Sequence, residues 1–89
     1  MSQVTGKEVL VKSFRARGPE GLEVKGAIWR DTEVGTGASS FKLTICLKIG
    51  GGEEICTTKP ISSFSEASAL YENNAQLWRI LGWQVTDII

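Results

Sequence analysis

Residues 41–59 carry the clearest alternation of apolar and polar positions in the chain. Phe41, Leu43, Ile45, Leu47 and Ile49 alternate with Lys42, Thr44, Cys46 and Lys48. This period of two predicts a strand with one buried face, so Leu47 is expected in the core. Gly50, Gly51 and Gly52 interrupt the pattern, and residues 54–59 predict the returning strand. A loop of these three glycines places side chains of compatible character opposite each other. The pairs are Lys48 with Glu54, of opposite charge, Leu47 with Ile55, both apolar, and Cys46 with Cys56.

The segment before this hairpin predicts two further strands. Residues 8–17 have a strand-like composition with imperfect alternation, and residues 22–30 alternate regularly. Gly18-Pro19-Glu20-Gly21 between them is a strong turn sequence, because proline presets φ and glycine frees it. Gly26 inside the second strand indicates a bulge or another element packed close to it. Residues 31–40 predict a flexible connecting loop that is long enough to serve as a contact loop.

After Pro60 the period changes to that of a helix. Ser63 and Glu66 have the spacing of a capping box, and Gly82 is a suitable residue to end the helix. One apolar stripe is predicted along the helix at Ala67, Leu70, Tyr71, Asn74, Leu77, Trp78 and Leu81. Trp83, Val85 and Ile89, alternating with Gln84 and Thr86, suggest a short last strand.

The chain is therefore predicted to be a single small α+β domain over residues 1–89, with residues 1–6 frayed. Its antiparallel four-stranded meander sheet is covered by one C-terminal amphipathic helix, with a short fifth strand after the helix (ββββαβ). The order of four strands and a helix resembles that of small single-strand-binding transcription cofactors, in architecture alone.

Composition excludes several kinds of chemistry. The 89 residues include 10 basic and 10 acidic side chains, two cysteines and no histidine. A neutral chain has no overall field to attract nucleic acid or anionic membranes, and self-association is easier. Without histidine there is no Ser-His-Asp triad, Cys-His pair or histidine metal site. Gly35-Thr36-Gly37 lacks the lysine of a phosphate-binding loop, so no cofactor is expected. The absence of a signal-peptide pattern favours the cytoplasm.

The pairing of Cys46 with Cys56 is the most specific chemical feature of the sequence, since the predicted register sets the two cysteines directly opposite each other. Opposed positions on antiparallel strands hold the Cβ atoms about 4.5–5.5 Å apart, which is wider than a relaxed disulfide. Two reduced thiols are therefore the favoured interpretation, with a disulfide as the alternative, and the protein is expected to fold in the reduced state.

The candidate binding residues are an aromatic, four cations and one polar residue of the helix stripe. Trp29 is predicted on the polar face of its strand, beside Lys25, and the alternating lysines Lys42 and Lys48 would share that outer face, with Arg15 as a further basic candidate. Asn74 lies within the apolar stripe, where it could fix a helix pairing or contact a ligand. The alternative for Asn74 is a bond to backbone or a helix kink.

These features favour a non-enzymatic protein-interaction module of adaptor or inhibitor type. It would act through the outer sheet face or a sheet edge and would also bind itself as a homodimer, with no membrane partner. The alternative is a protein that binds single-stranded nucleic acid on a basic sheet face, with Trp29 as the stacking residue.

Overall fold

The computed structural model describes residues 7–88 as one five-stranded antiparallel sheet with a helix against one face. In chain order the elements are β1 (Lys7–Arg17), a 3₁₀ turn (Pro19–Gly21), β2 (Glu23–Thr32), β3 (Ser39–Lys48), β4 (Glu54–Ile61), α1 (Phe64–Ile80) and β5 (Gln84–Asp87). The strands lie in the order β4-β3-β2-β1-β5. This confirms the predicted ββββαβ architecture. The predictions for residues 1–6 and for Ile89 lie outside the described residues.

The central hairpin has the predicted register. Cys46 faces Cys56, and Lys48 faces Glu54. The amide of Gly52 donates to the carbonyl of Ile49 at 2.9 Å and closes the turn. Gly50 has a φ of 61°, a left-handed conformation that favours glycine. The three-glycine loop thus fixes which residues of β3 and β4 meet.

The connection between β2 and β3 is shorter than predicted. Residues 31–40 were expected to form a loop, but Asp31 and Thr32 continue β2 and pair with Ser40 and Ser39 of β3. The remaining residues, 33–38, form a hydrogen-bonded turn in which the amide of Glu33 donates to the carbonyl of Ala38 at 2.8 Å. The β-branched side chain of Thr32 suits this extension of the strand.

Both ends of α1 are capped by the residues expected from the sequence. The Ser63 hydroxyl accepts from the Glu66 amide at 3.1 Å, while the Glu66 carboxylate accepts from Ser62 rather than completing the reciprocal box. At the other end Gly82 has a φ of 85°. The amide of Gly82 donates to Arg79 and that of Trp83 to Trp78, the two bonds of a Schellman motif. No helix within residues 7–88 is long and apolar enough to cross a membrane.

The buried side of α1 is rotated from the predicted stripe. Ala67, Tyr71 and Ala75 are buried, whereas Leu77 and Leu81 are exposed. The two alanines let the helix backbone approach the sheet closely, so the larger leucines lie at its flank. The predicted stripe was correct for Ala67 and Tyr71 and wrong for the two leucines.

The core is organised around the aromatic ring of Phe14. Phe14 lies opposite Gly26, and a Cβ built on Gly26 would come within 2.2 Å of the Phe14 ring. The other side of Phe14 meets Tyr71 of α1 edge-on, with ring centroids 5.2 Å apart. Gly26 therefore marks a close approach, one of the two explanations predicted for it.

Leu43 and Leu47 provide a matched test of where the core ends. Leu43 is 8% exposed, whereas Leu47, expected in the core, is 38% exposed because α1 does not cover that end of β3. We expect Leu43→Asp to lower the free energy of unfolding by about 4 kcal/mol or to prevent folding, since it buries an unpaired charge. Leu47→Asp should cost less than about 2 kcal/mol. Equal losses in urea titrations would contradict this boundary of the core.

Tyr71 makes stability depend on pH in the alkaline range. Burial of the phenol, and then the nearby carboxylates of Asp87 and Glu72, raise the pKa of Tyr71 from 10.0 to about 12. Above pH 10 the unfolded chain releases this proton while the folded protein retains it, so stability falls as pH rises from 10 to 12. Over that range the free energy of unfolding of the wild type should fall by up to about 3 kcal/mol more than that of Tyr71→Phe. Parallel losses in the two proteins would contradict the assignment.

Candidate functional site

The sheet has an outer face that α1 does not cover. The pairing registers place Trp29 opposite Leu10 and Lys42, and Ala27 opposite Ser13 and Thr44. Directly opposed residues of antiparallel strands point to the same side, whereas Phe14 and Ile28 point toward α1. The outer face accordingly includes Leu10, Ser13, Arg15, Glu23, Lys25, Ala27, Trp29, Lys42, Thr44, Cys46, Lys48, Glu54, Cys56 and Thr58. Trp29, Lys25, Lys42, Lys48 and Arg15 thus share one surface.

An apolar cleft of about 200 Å³ lies at the centre of this outer face. Its walls include Leu10, Ala27, Trp29 and Ile88, with Thr44 at the side. Trp29 is half-buried, so its indole is held against the sheet while part of it still faces solvent. Ile88 reaches the cleft because its amide donates to the Ser13 carbonyl at 2.8 Å, just beyond β5.

Leu10 and Ile88 were not predicted as site residues. The β1–β2 register shifts between Leu10 and Lys12, so a bulge at this point breaks the alternation and brings Leu10 to the same side as Trp29. The imperfect alternation of β1 was the only signal of this in the sequence. Ile88 is placed by the return of β5 beside β1, which no local pattern reveals.

Ion pairs surround the apolar cleft. Lys42 pairs with Glu8, Lys25 Nζ lies 3.3 Å from a Glu54 carboxylate oxygen, and Arg15 Nε lies 2.8 Å from Glu23. Arg15 Nε is buried and forms no well-angled hydrogen bond with residues 7–88, so its contact with Glu23 is electrostatic only. These pairs are partly exposed and contribute at most about 1 kcal/mol each to stability. Their main effect is that each of these cations on the outer face has a carboxylate beside it, which offsets its positive charge.

Lys48 belongs to the same arrangement by register. It faces Glu23 on β2 and Glu54 on β4. Opposite charges on directly opposed positions favour the antiparallel pairing. The predicted basic face is therefore a face of alternating charge, which gives little attraction for a polyanion.

Cys46 and Cys56 form a disulfide on the outer face, with Cα atoms 4.0 Å apart. Two reduced thiols were favoured from the sequence, whereas the structure contains the disulfide that was the alternative. The opposed positions were predicted correctly, but the strands approach more closely here than in an average non-hydrogen-bonded pair, whose Cα atoms are about 4.5 Å apart. Both sulfurs, with the Glu54 carboxylate, form the one group of possible metal ligands within the described residues. The disulfide removes the two thiolates from metal binding.

Asn74 does not belong to the outer face. It lies on α1, half-buried, and its Oδ1 accepts from Trp78 Nε1 at 2.8 Å. The indole of Trp78 packs in turn on Trp83, with ring centroids 4.6 Å apart. Asn74 thus orients a tryptophan one turn along its own helix; the expected alternatives, a backbone bond or a kink, do not describe it.

Comparison of the chain with family models, characterised proteins and solved structures gives no match.

The disulfide should stabilise the protein without being required for its fold. The core lies on the opposite side of the sheet, so we expect reduction to lower the free energy of unfolding by about 2–3 kcal/mol while unfolding stays cooperative. The matched control is Cys46→Ser/Cys56→Ser, which should show the same loss and no response to reductant. Loss of cooperative unfolding on reduction would show that the bond holds the fold together.

Proposed function

We propose that this protein is a non-enzymatic interaction module that binds a partner protein through the outer face around Trp29. The observation that carries the proposal is the cleft itself, an apolar centre bounded by ion pairs. Protein interfaces have this anatomy, with a desolvated core and a polar rim that remains hydrated. The partner would insert an apolar side chain beside Trp29 and present polar groups to the rim.

Trp29 is suited to be the main contributor to binding energy. Tryptophan is enriched among residues whose truncation costs most in interfaces, and these residues lie near the centre of the contact. Because the indole is already half-buried against the sheet, little side-chain entropy would be lost on binding. Leu10 and Ile88 enlarge the apolar surface around it, and Ile88 is 53% exposed.

The proposal that the module is not an enzyme rests on its composition. The chain has no histidine, the usual general acid–base residue at neutral pH. A cytoplasmic location remains a prediction, and the Cys46–Cys56 disulfide counts against it because the cytosol keeps such pairs reduced. The redox state of the pair in cells therefore tests it. Mass spectrometry after rapid alkylation in cells would report that state.

Single-stranded nucleic acid is the second candidate. Trp29 offers a stacking surface, but the glutamates paired with Lys25, Lys42 and Arg15 weaken the electrostatic support. Salt separates the two candidates, because affinity for nucleic acid falls steeply with ionic strength, whereas an apolar protein contact changes little.

Trp29→Ala should weaken partner binding by about 30-fold or more, corresponding to 2 kcal/mol or more. The melting temperature should fall by no more than about 4–8 °C, because the half-buried indole contributes about 1 kcal/mol to stability. Affinity capture with wild-type protein, with and without nuclease, would supply the partner, and titration calorimetry would measure its binding. Ile80→Ala is the matched control, since Ile80 is apolar and 72% exposed on α1. Equal binding by Trp29→Ala and wild type, or nuclease-sensitive capture, would contradict the proposal.

A further inference from the structure

β4 is an edge strand whose outer side is open. Within residues 7–88 it pairs only with β3, and every residue from Glu54 to Pro60 is exposed. An uncovered edge presents a row of backbone amides and carbonyls that can pair with another strand. Ile55, which is 67% exposed, adds apolar surface beside this edge.

The backbone groups that face outward can be assigned from the pairing with β3. Cys46 and Cys56 have Cα atoms 4.0 Å apart, the narrow spacing of a pair that exchanges no backbone hydrogen bonds. By alternation, Glu54, Cys56, Thr58 and Pro60 direct their backbone groups away from β3. Pro60 agrees with this assignment, because a residue without an amide proton fits an outward-facing position. Glu54, Cys56 and Thr58 thus each offer a free donor and acceptor.

We propose that β4 pairs antiparallel with β4 of a second copy of this chain, about a two-fold axis at Cys56. Cys56 then faces the partner's Cys56, and Glu54 faces the partner's Thr58, with the reciprocal pair following by symmetry. Each of these three pairs exchanges two backbone hydrogen bonds, about six in all. This dimer lies outside the outer-face cleft and goes beyond the proposed function.

Charge complementarity favours a two-fold axis at Cys56 over axes at neighbouring residues. With the pairing extended by one residue before β4, a two-fold axis at Cys56 sets Glu53 opposite the partner's Lys59, twice by symmetry. An axis at Thr57 would instead oppose Lys59 to Ile55, and an axis at Thr58 would oppose Lys59 to Thr57. Glu53 and Lys59 are exposed, and the chain has a net charge of +0, so no overall repulsion opposes association.

The symmetry of this pairing has a geometric consequence. Directly opposed residues of antiparallel strands point to the same side, so the two sheets join into one continuous sheet. Both Trp29 clefts then lie on the same side of the dimer, which would bind a repetitive or dimeric partner with increased avidity.

A charge exchange tests the register. In sedimentation equilibrium at low salt, wild type should show a concentration-dependent dimer. Glu53→Lys and Lys59→Glu should each raise its dissociation constant about tenfold, because each creates two like-charge contacts. The double variant Glu53→Lys/Lys59→Glu should restore wild-type affinity. Glu53 precedes β4 and Lys59 lies near the far end of that strand, so such rescue arises only between chains. A monomeric wild type at millimolar concentration, or no rescue, would overturn the proposal.

A proline tests the hydrogen bonds independently. Thr58→Pro removes an outward-facing amide proton, so it should leave the monomer folded, as Pro60 does, while raising the dissociation constant at least tenfold. Thr58→Val is the matched control, since it also removes the Thr44–Thr58 hydroxyl contact but keeps the amide, and it should still dimerise. Equal dimerisation by the two variants would overturn the proposed pairing. Trp29→Ala should dimerise normally, which separates failure of this proposal from failure of the proposed function.

Discussion

The packing of Phe14 between Gly26 and Tyr71 is the contact on which the rest of the structure depends. Because Gly26 has no Cβ, the Phe14 ring lies directly on β2 and leaves room for the helix above it. Tyr71 then fixes α1 over the middle of the sheet. One helix of this length covers only part of one face, so the outer face and the β4 edge remain open as a direct consequence of how the core is built.

Local signals in the sequence were sufficient for most of the fold. The β3–β4 register followed from matching opposed residues, and the helix ends followed from Ser63 and Gly82, because these features depend on residues close in sequence. The rotation of α1 was not predictable in this way. It depends on how closely the helix approaches the sheet, and Ala75 permits that approach whereas Leu77 would not.

The candidate site shows a similar division between local and nonlocal information. The side on which Trp29 lies followed from alternation alone, but the character of its surroundings did not. Alternating lysines on β3 suggested a basic surface, whereas Glu8 on β1 reaches Lys42 on β3 across the intervening strand β2. Charge pairing on a sheet is two-dimensional, and a linear pattern gives only one dimension. The cleft likewise depends on a bulge in β1 and on the end of β5, which only tertiary structure brings together.

Cys56 connects the outer face with the β4 edge. Its side chain lies on the outer face, and its backbone groups face away from β3. Because β4 is exposed almost along its whole length, its attachment depends on the β3 hydrogen-bond ladder, the burial of Ile61 and the bond to Cys46. A strand with so few buried contacts opens more readily than the core strands, so the disulfide has its greatest effect on local stability there. It keeps the edge ordered while leaving both surfaces open.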